Sequence, residues 1–393
     1  MSGIITMLAG ATSIMMVAGI IMFPGQAFAA SLSGLRLWWE TVFPALLPFY
    51  IICYMIEAWR LPHLWAVRLA PLIRLLLGIP GHAAGAALSA LVAGPEAGAR
   101  AIAELRAKSA IGSREASRLL AFAYFANPAL IVAVIAAAWL QAPAVGIHLA
   151  LIHYSSALLT ISVFRIAYAA NKPLIITDDT AADAASSTAE RFNAVPLGKL
   201  LGDAVHTSLQ RLLVIGGTMM ICSVLLRLIQ ESGIVAALVA LLQQAFALML
   251  PPSAAEDTIL LTLAAMTEVH VGAAMIAQSG QLPAAQMIIA LSALLGWGGV
   301  AMHLHVRAIV HGAAVRYKPF IAARLVHAAF AGLLATLTWP LIAEKLHDIP
   351  QAIGTAGASE QSPLVLGGLL AAWQPITFAA LLILFIWRQT RQT

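Results

Sequence analysis

Two stretches of the sequence place glycine and carboxylate groups in the middle of strongly apolar chain. The first is residues 94–103, GPEAGARAIA, and the second is residues 267–277, TEVHVGAAMIA. Hydrocarbon satisfies neither a backbone polar group nor a charge, so such residues are costly there unless protein or a wet cavity surrounds them. Paired chain breaks of this kind in the two halves of a membrane protein are typical of a transporter's substrate and ion site.

The carboxylates of these stretches belong to Glu96 and Glu268. An intramembrane carboxylate is by default a functional residue, so we predict that both bind substrate and, together with His270, take part in proton or sodium coupling. The alternative is that one or both only cap the helix that follows, because carboxylates stabilise helix N-termini. Glu96 and His270 occupy equivalent positions in the two stretches and could form a proton-coupled pair.

Two further side chains have two interpretations each. Arg100 lies one helical turn after Glu96, so it could form a local ion pair or could clamp a carboxylate of the substrate. Asn127 precedes Pro128, where it could hydrogen-bond substrate or cap the next helix. Helix N-termini that follow chain breaks offer backbone donors to an anion. The other predicted substrate-binding residues adjoin such breaks: Gly94, Gly98, Thr267 and Gly299.

Several kinds of chemistry are not expected. The sequence has no HExxH motif and no carboxylate cluster at ligand spacing, so we predict no metal site. The motif GxxxxGK[ST] is absent, so an ATP-driven pump is not indicated, and no cofactor is expected. No nucleophile with a base and an orienting partner is recognisable, which argues against an enzyme. Cys53 and Cys222 lie in apolar stretches and are interpreted as small buried hydrophobic residues.

The composition identifies the chain as a membrane protein. Hydrophobic residues make up 61% of it and charged residues 10%, with a mean hydropathy of +0.90. A soluble domain carries roughly 25% charged residues. The formal net charge of +5 comes from Lys and Arg residues that cluster in a few loops, as expected of cytoplasmic segments, and does not indicate nucleic acid. We therefore predict an all-α polytopic protein in the lipid bilayer.

The elements that would position these residues are about eight spanning helices and two re-entrant helical hairpins. The predicted spans are 3–28, 41–59, 115–140, 143–164, 209–230, 283–303, 320–343 and 364–387, and the predicted hairpins are 82–108 and 253–281. Residues 36–40, with two tryptophans, are predicted to lie at the membrane interface, and residues 60–74 on the membrane surface. Asn127-Pro128 and the glycines at 296–299 predict broken helices. No basic residue precedes the first apolar stretch, so it is predicted to remain uncleaved.

An internal duplication is suggested by the alignment of Gly98 with Gly272. Residues 60–118 contain eight Lys or Arg, whereas residues 228–306 contain none, so the two hairpins are predicted to face opposite sides. This indicates two inverted repeats with the site between them and both termini in the cytoplasm. The predicted divisions are an N-terminal span with its interfacial segment (1–40), repeat one (41–165), a polar cytoplasmic linker (166–208), repeat two (209–345) and a loop with the last span (346–393).

Several motifs, taken in order, resemble a known family. They are PALLPF at 44–49, GPEAGA at 94–99, PLGKLLGDAV at 196–205, Thr267-Glu268 and KPF at 318–320. The chain resembles, from about residue 40 to 340, the YlbJ (SpoVV) family of sporulation integral membrane proteins of endospore-forming bacteria, which contain two nucleoside-recognition Gate repeats.

The resemblance implies a fold similar to that of concentrative nucleoside transporters. It also implies a bacterial membrane transporter that moves dipicolinic acid from the mother cell across the outer forespore membrane. The partners it implies are dipicolinate and a coupling proton or sodium ion, with a homo-oligomer left open. A nucleoside, nucleobase or other organic anion carrier is the first alternative. A structural membrane protein of the spore envelope is the second.

Overall fold

The computed structural model describes residues 2–59, 83–169, 196–237, 252–280 and 282–343, together with isolated positions between 61 and 71 and at 240. This described part is helical and contains no strand, which confirms the predicted all-α class. Its helices are α1 (Ser2–Met22), α2 (Pro24–Leu37), α3 (Phe43–Ala58), α4 (Ala84–Ala93), α5 (Pro95–Ala107), α6 (Ser113–Phe122), α7 (Leu130–Trp139), α8 (Pro143–Ala169), α9 (Leu197–Glu231), α10 (Pro252–Thr267), α11 (Val269–Gln278), α12 (Ala284–Trp297), α13 (Gly299–Ile309) and α14 (Lys318–Ala343).

Five of the described helical stretches are long and apolar enough to cross a membrane. They are Pro24–Ala58, Pro143–Ile166, Leu197–Glu231, Ala284–Ile309 and Lys318–Ala343. Of the described shorter apolar helices, three lie between them and one precedes them, which is the pattern expected of a polytopic protein with interrupted spans. The predicted last span, 364–387, and the predicted surface helix around residues 60–74 lie outside, or almost entirely outside, the described residues.

The N-terminal part differs from the prediction. The predicted first span, 3–28, ends instead at Met22, because Phe23 leaves the helical conformation (φ −128°, ψ 57°) before Pro24. A residue before proline is disfavoured in the α region, so a new helix starts at the proline itself. This break was not anticipated from the sequence.

The predicted interfacial segment and second span are wrong as separate elements. Residues 24–58 form one continuous helix, in which α2 and α3 are joined by a π-helical turn, Trp38–Val42. Within it Trp38 is 6% exposed and packs against Gly216 of α9. Pro44 follows the wide turn directly, where the missing N–H is tolerated, and the helix continues through Pro48.

The first predicted hairpin is confirmed as two helices, α4 and α5, joined at Gly94. Gly94 has φ +92°, a conformation that a residue with a side chain rarely adopts. The two arms pack so closely that a Cβ on Gly98 would lie 2.5 Å from the Cβ of Ala90. Small residues on both arms permit this approach, as the alanine-rich sequence predicted.

The second predicted hairpin is confirmed as α10 and α11, joined at Glu268. A Cβ on Gly272 would lie 2.6 Å from the Cα of Ala265 in the facing arm. Gly272 comes four residues after the break, as Gly98 does after Gly94. The two glycines aligned from the sequence therefore have the same place in two hairpins of the same construction.

Both predicted broken helices are also present. Residues 123–127 are unwound between α6 and α7, and α7 is a wide π-helix. Gly298 and Gly299, with φ +84° and +81°, separate α12 from α13. The α5 arm contacts α6 and α13, and the α11 arm correspondingly contacts α12 and α7. Each hairpin therefore touches the first part of its own broken helix and the last part of the other.

The outer end of the first hairpin and the start of α6 are joined to the segment before α14 by hydrogen bonds. Arg106 Nε donates to the Ala313 carbonyl at 3.1 Å, and Ser113 Oγ donates to the Ala314 carbonyl at 2.5 Å. The Arg316 N–H donates to Ser117 Oγ at 2.8 Å. These bonds connect residues about 200 positions apart in the sequence and fix the two halves to each other at this end.

The ends of the predicted polar linker 166–208 are helical. Residues 197–208 belong to the long helix α9, which starts just after Pro196. Residues 166–169 complete α8. The remainder of the linker and the loop 346–362 lie outside the described residues. The repeat boundaries and the cytoplasmic location of both termini stay predictions.

Candidate functional site

The chain breaks of the hairpins lie against the breaks of the broken helices. A Cβ on Gly94 would be 3.9 Å from the Cβ of Asn127, in the unwound segment between α6 and α7. A Cβ on Gly299 would be 3.0 Å from the Thr267 carbonyl oxygen and 3.1 Å from the Glu268 Cα. The structure thus brings the residues predicted from two separate motifs together in each half.

The two halves also meet at these breaks. The Tyr124 hydroxyl, in the unwound segment of the first half, is 3.5 Å from the Leu295 carbonyl in the second. It lies so close to Gly298 that a Cβ there would overlap it. The N-termini of four helices, α5, α7, α11 and α13, therefore lie within one continuous region, and the N-terminus of a helix presents backbone N–H groups and a positive dipole end to an anion.

Glu96 occupies the first turn of α5 and has two partners. Its Oε2 is 3.2 Å from Arg100 Nη2, and its Oε1 is 3.7 Å from Nδ1 of His305 on α13. The side chains of Glu96 and Arg100 remain 28% and 44% exposed. Arg100 therefore makes the local ion pair, while its exposed face leaves it able to bind a further anion.

Glu268 is the N-cap of α11. Its Oε2 accepts the Val271 N–H at 2.7 Å, and its Oε1 lies 2.7 Å from His270 Nδ1. Glu268 is 4% exposed and His270 is 7% exposed. The capping interpretation of Glu268 is thus observed, and the pair with His270 gives this buried carboxylate a second partner that can carry a proton.

The sequence suggested a pair between Glu96 and His270, but the structure does not contain it. Glu96 pairs with His305 across the two halves, and His270 pairs with Glu268 in its own hairpin. The reason is that the two hairpins do not face each other directly, because each α5 or α11 arm packs on a broken helix instead. Two carboxylate–histidine pairs therefore replace the one that was expected.

Asn127 also serves as a cap. Its Oδ1 accepts the Leu130 N–H at 2.6 Å, and its Nδ2 donates to the Tyr50 hydroxyl of α3 at 3.2 Å. It is 6% exposed. The capping alternative is therefore observed, and a bond from Asn127 to substrate stays a prediction that would use its remaining N–H.

Two of the predicted site residues have evident structural uses. Thr267 Oγ1 donates back to the Leu263 and Ala264 carbonyls of its own helix, at 2.9 and 3.1 Å. Gly98 is buried where the two hairpin arms touch. Their assignment to substrate binding stays a prediction. Gly94 and Gly299 form the backbone of the two breaks.

A buried network that the sequence did not indicate supports the first unwound segment. Arg324 of α14 is 1% exposed, and its guanidinium donates to the Ala121 carbonyl at 2.9 Å and to His327 Nδ1 at 2.8 Å. His327 Nε2 then donates to the His153 carbonyl at 2.9 Å, and His153 Nε2 accepts the Ala126 N–H at 2.9 Å. Side chains of α8 and α14 thereby bond backbone groups that the broken helix leaves free. The sequence signal that could have indicated this network is Arg324 three residues before His327 within an apolar span.

The described residues contain no group of three or more His, Cys, Asp or Glu side chains placed to hold a metal ion. The described site contains a set of helix N-termini, two carboxylate–histidine pairs and the partly exposed Arg100, and apolar helices surround it. These features define a polytopic α-helical membrane protein with two helical hairpins and two broken helices.

The sequence is 30% identical over 408 aligned positions to the sporulation integral membrane protein YlbJ of Bacillus subtilis strain 168, and the match covers 100% of this chain and 99% of that protein. The chain therefore belongs to the YlbJ family of sporulation integral membrane proteins, as its motifs suggested. No family model matches the sequence, and no solved structure gives a significant match. The interpretation of the two halves as Gate repeats accordingly stays a prediction.

Proposed function

We propose that the protein is a secondary transporter of dipicolinate, pyridine-2,6-dicarboxylate, which it moves from the mother cell across the outer forespore membrane during sporulation. The observation that carries the proposal is the meeting of four chain breaks and two carboxylate–histidine pairs within apolar helical protein. A site of this kind is costly in a protein that only scaffolds a membrane. Membership of a sporulation family supports the biological setting.

The proposed site holds the dianion chiefly with helix N-termini. The starts of α5, α7, α11 and α13 contribute dipoles worth about 0.3–2 kcal/mol each, and they need no counter-ion when the site is empty. Arg100 adds a guanidinium that remains accessible beside Glu96. This combination binds an anion without leaving an unpaired buried cation after release.

The carboxylates supply the coupling in this proposal. A dianion beside ionised Glu96 or Glu268 is repelled, so substrate binds together with a proton or another cation at these groups. The histidines at 2.7 Å from Glu268 and 3.7 Å from Glu96 are the neighbouring proton acceptors. Transport therefore depends on pH or on the coupling cation through Glu96, Glu268 or both.

The test is export from a bacterial host that synthesises dipicolinate, with terbium luminescence of the medium as the readout. Cells that express the protein are expected to release dipicolinate faster than cells with an empty vector. Glu96→Gln and Glu268→Gln are expected to change the pH or ion dependence of release, whereas Glu231→Gln, at an exposed pair on α9, is the matched control. Release at the empty-vector rate would refute dipicolinate as the substrate.

A further inference from the structure

One face of α3 lies along the first hairpin. Tyr50, Cys53 and Glu57 follow one another at spacings of three and four residues, which places them on the same side of the helix. Cys53 packs with Ala93 and Ala97 at the hairpin break, and its Sγ lies 3.5 Å from the Val92 carbonyl. Glu57 therefore lies one turn beyond that contact, beside the hairpin that carries Glu96 and Arg100.

Arg211 of α9 lies on the helix that packs along α3, and its neighbour Leu212 belongs to the same core cluster as Tyr50. Its charge is close enough to act on Glu57 and Tyr50 of α3 and on Glu96 and Arg100 of α5. Its Nε is buried and has no hydrogen-bond partner among the described residues. Glu57 Oε1 is likewise buried without a donor there. A guanidinium donor and a carboxylate acceptor are thus both left unsatisfied next to the Glu96–Arg100 pair.

We infer that Arg211 and Glu57 complete a four-charge site with Arg100 and Glu96, and that this site binds one dicarboxylate together with two protons. The inference rests on the proposed function for the identity of the dicarboxylate. The empty site contains two guanidiniums and two carboxylates and is neutral. Its arginines are therefore balanced without substrate, which is the condition that a buried pair of cations has to meet.

The exchange of partners follows from charge balance. One carboxylate of the substrate takes the place of Glu96 on Arg100, and the other accepts from Arg211, whose Nε has no partner among the described residues. Without compensation the site would then carry two negative charges in a medium of low dielectric constant, so Glu96 and Glu57 each take one proton from solution. The protons leave again when the substrate is released, and no net charge crosses the membrane in the loaded form.

Other titratable groups face this site and could also bind protons when the substrate binds. They are Tyr50 and Cys53 on α3, Glu104 on α5 and His305 on α13. His305 is the nearest to a site carboxylate, at 3.7 Å from Glu96. It can receive the proton that Glu96 gives up, which keeps the count of two protons unchanged as long as Glu57 accepts the other.

The experiment uses the purified full-length protein in proteoliposomes that contain a pH-sensitive dye. Uptake of dipicolinate is compared with that of picolinate, which has one carboxylate, of other pyridine and aliphatic dicarboxylates, and of uridine. Wild type is expected to carry two protons per dicarboxylate and to be insensitive to membrane potential. Glu57→Gln is expected to carry one proton and to become sensitive to the potential, because one protonatable group is gone.

Arg211 is tested by two substitutions, so that a folding defect is recognised. Arg211→Gln is expected to lower dicarboxylate uptake at least about tenfold, since a charge-assisted bond to the substrate is lost. Arg211→Lys is expected to retain more uptake because it keeps the charge. Arg227→Gln, on the same helix but at an exposed pair with Glu231, is the control that should leave uptake unchanged.

The outcomes separate the two proposals. If dipicolinate is carried but Glu57→Gln keeps the wild-type proton count, or Arg211→Gln keeps the wild-type rate, the four-charge site is wrong and the proposed function stands. If dipicolinate is not carried but another dicarboxylate enters with two protons, the proposed function is wrong and the site stands. If no dicarboxylate is taken up, both are overturned.

Discussion

Replacement of Glu268 by alanine should weaken the second hairpin, because this side chain makes two buried contacts at once. It caps α11 by accepting the Val271 N–H, and it pairs with His270 at 2.7 Å. Loss of an N-cap costs about 0.5–2 kcal/mol. A buried imidazole N–H left without its acceptor costs about 1–3 kcal/mol. The free energy of unfolding should therefore fall by about 1.5–5 kcal/mol in Glu268→Ala.

The assay is thermal unfolding of the detergent-solubilised protein, followed by size-exclusion chromatography after heating. A loss of this size should lower the Tm of a 393-residue chain by about 2–6 °C. Glu268→Gln should lower it less, because the amide oxygen still accepts the Val271 N–H while the charge is lost. Glu231→Ala removes an exposed i,i+4 pair with Arg227, worth about 0–1 kcal/mol, and serves as the control. If Glu268→Ala unfolds at the same temperature as Glu231→Ala, the contacts assigned to Glu268 do not stabilise the hairpin.

Three further changes test the hairpins and the breaks. Gly272→Ala should destabilise the protein by about 1–3 kcal/mol, because the new Cβ would press on the backbone of the facing helix. Gly217→Ala, in open space on α9, is the control that should not destabilise it, and thermal unfolding of both variants measures the difference. Asn127→Ala removes the cap of α7 and should reduce dipicolinate uptake in proteoliposomes, and an unchanged rate would exclude a role in the site. Cysteines at positions now held by Ser109 and Ser279 should react with a membrane-impermeant maleimide from opposite sides of sealed vesicles. Reaction of both from one side would contradict the inverted arrangement of the hairpins.

The breaks at Gly94, Glu268 and Gly298 could be predicted because their residue types are incompatible with an uninterrupted apolar helix. Glycine with positive φ and carboxylate inside apolar sequence are local signals, and local signals are readable from the chain alone. The correspondence of the two hairpins could be predicted for the same reason, because Gly98 and Gly272 lie at the same spacing from their breaks.

What could not be predicted depends on contacts between distant residues. The partner of Glu96 in the second half is His305, more than two hundred residues away. The continuous helix across residues 24–58 was missed because Trp38 packs against Gly216, which replaces the interfacial environment that two adjacent tryptophans usually indicate. Which side chains pair and which helices stay continuous depends on packing partners that are distant in the sequence, and the hydrophobic periodicity of the sequence does not show these partners.

In the junction between the first hairpin, the start of α6 and the segment before α14, the segment before α14 contributes only main-chain atoms to the hydrogen bonds. Arg106, Ser113 and Ser117 bond the carbonyls of residues 313 and 314 and the N–H of residue 316. These three bonds do not depend on the side chains of 313–316, among which Val315 packs against a core cluster, whereas an insertion or deletion of one residue would move every bonded atom out of register. In relatives of this protein, the length of this short segment should vary much less than its composition.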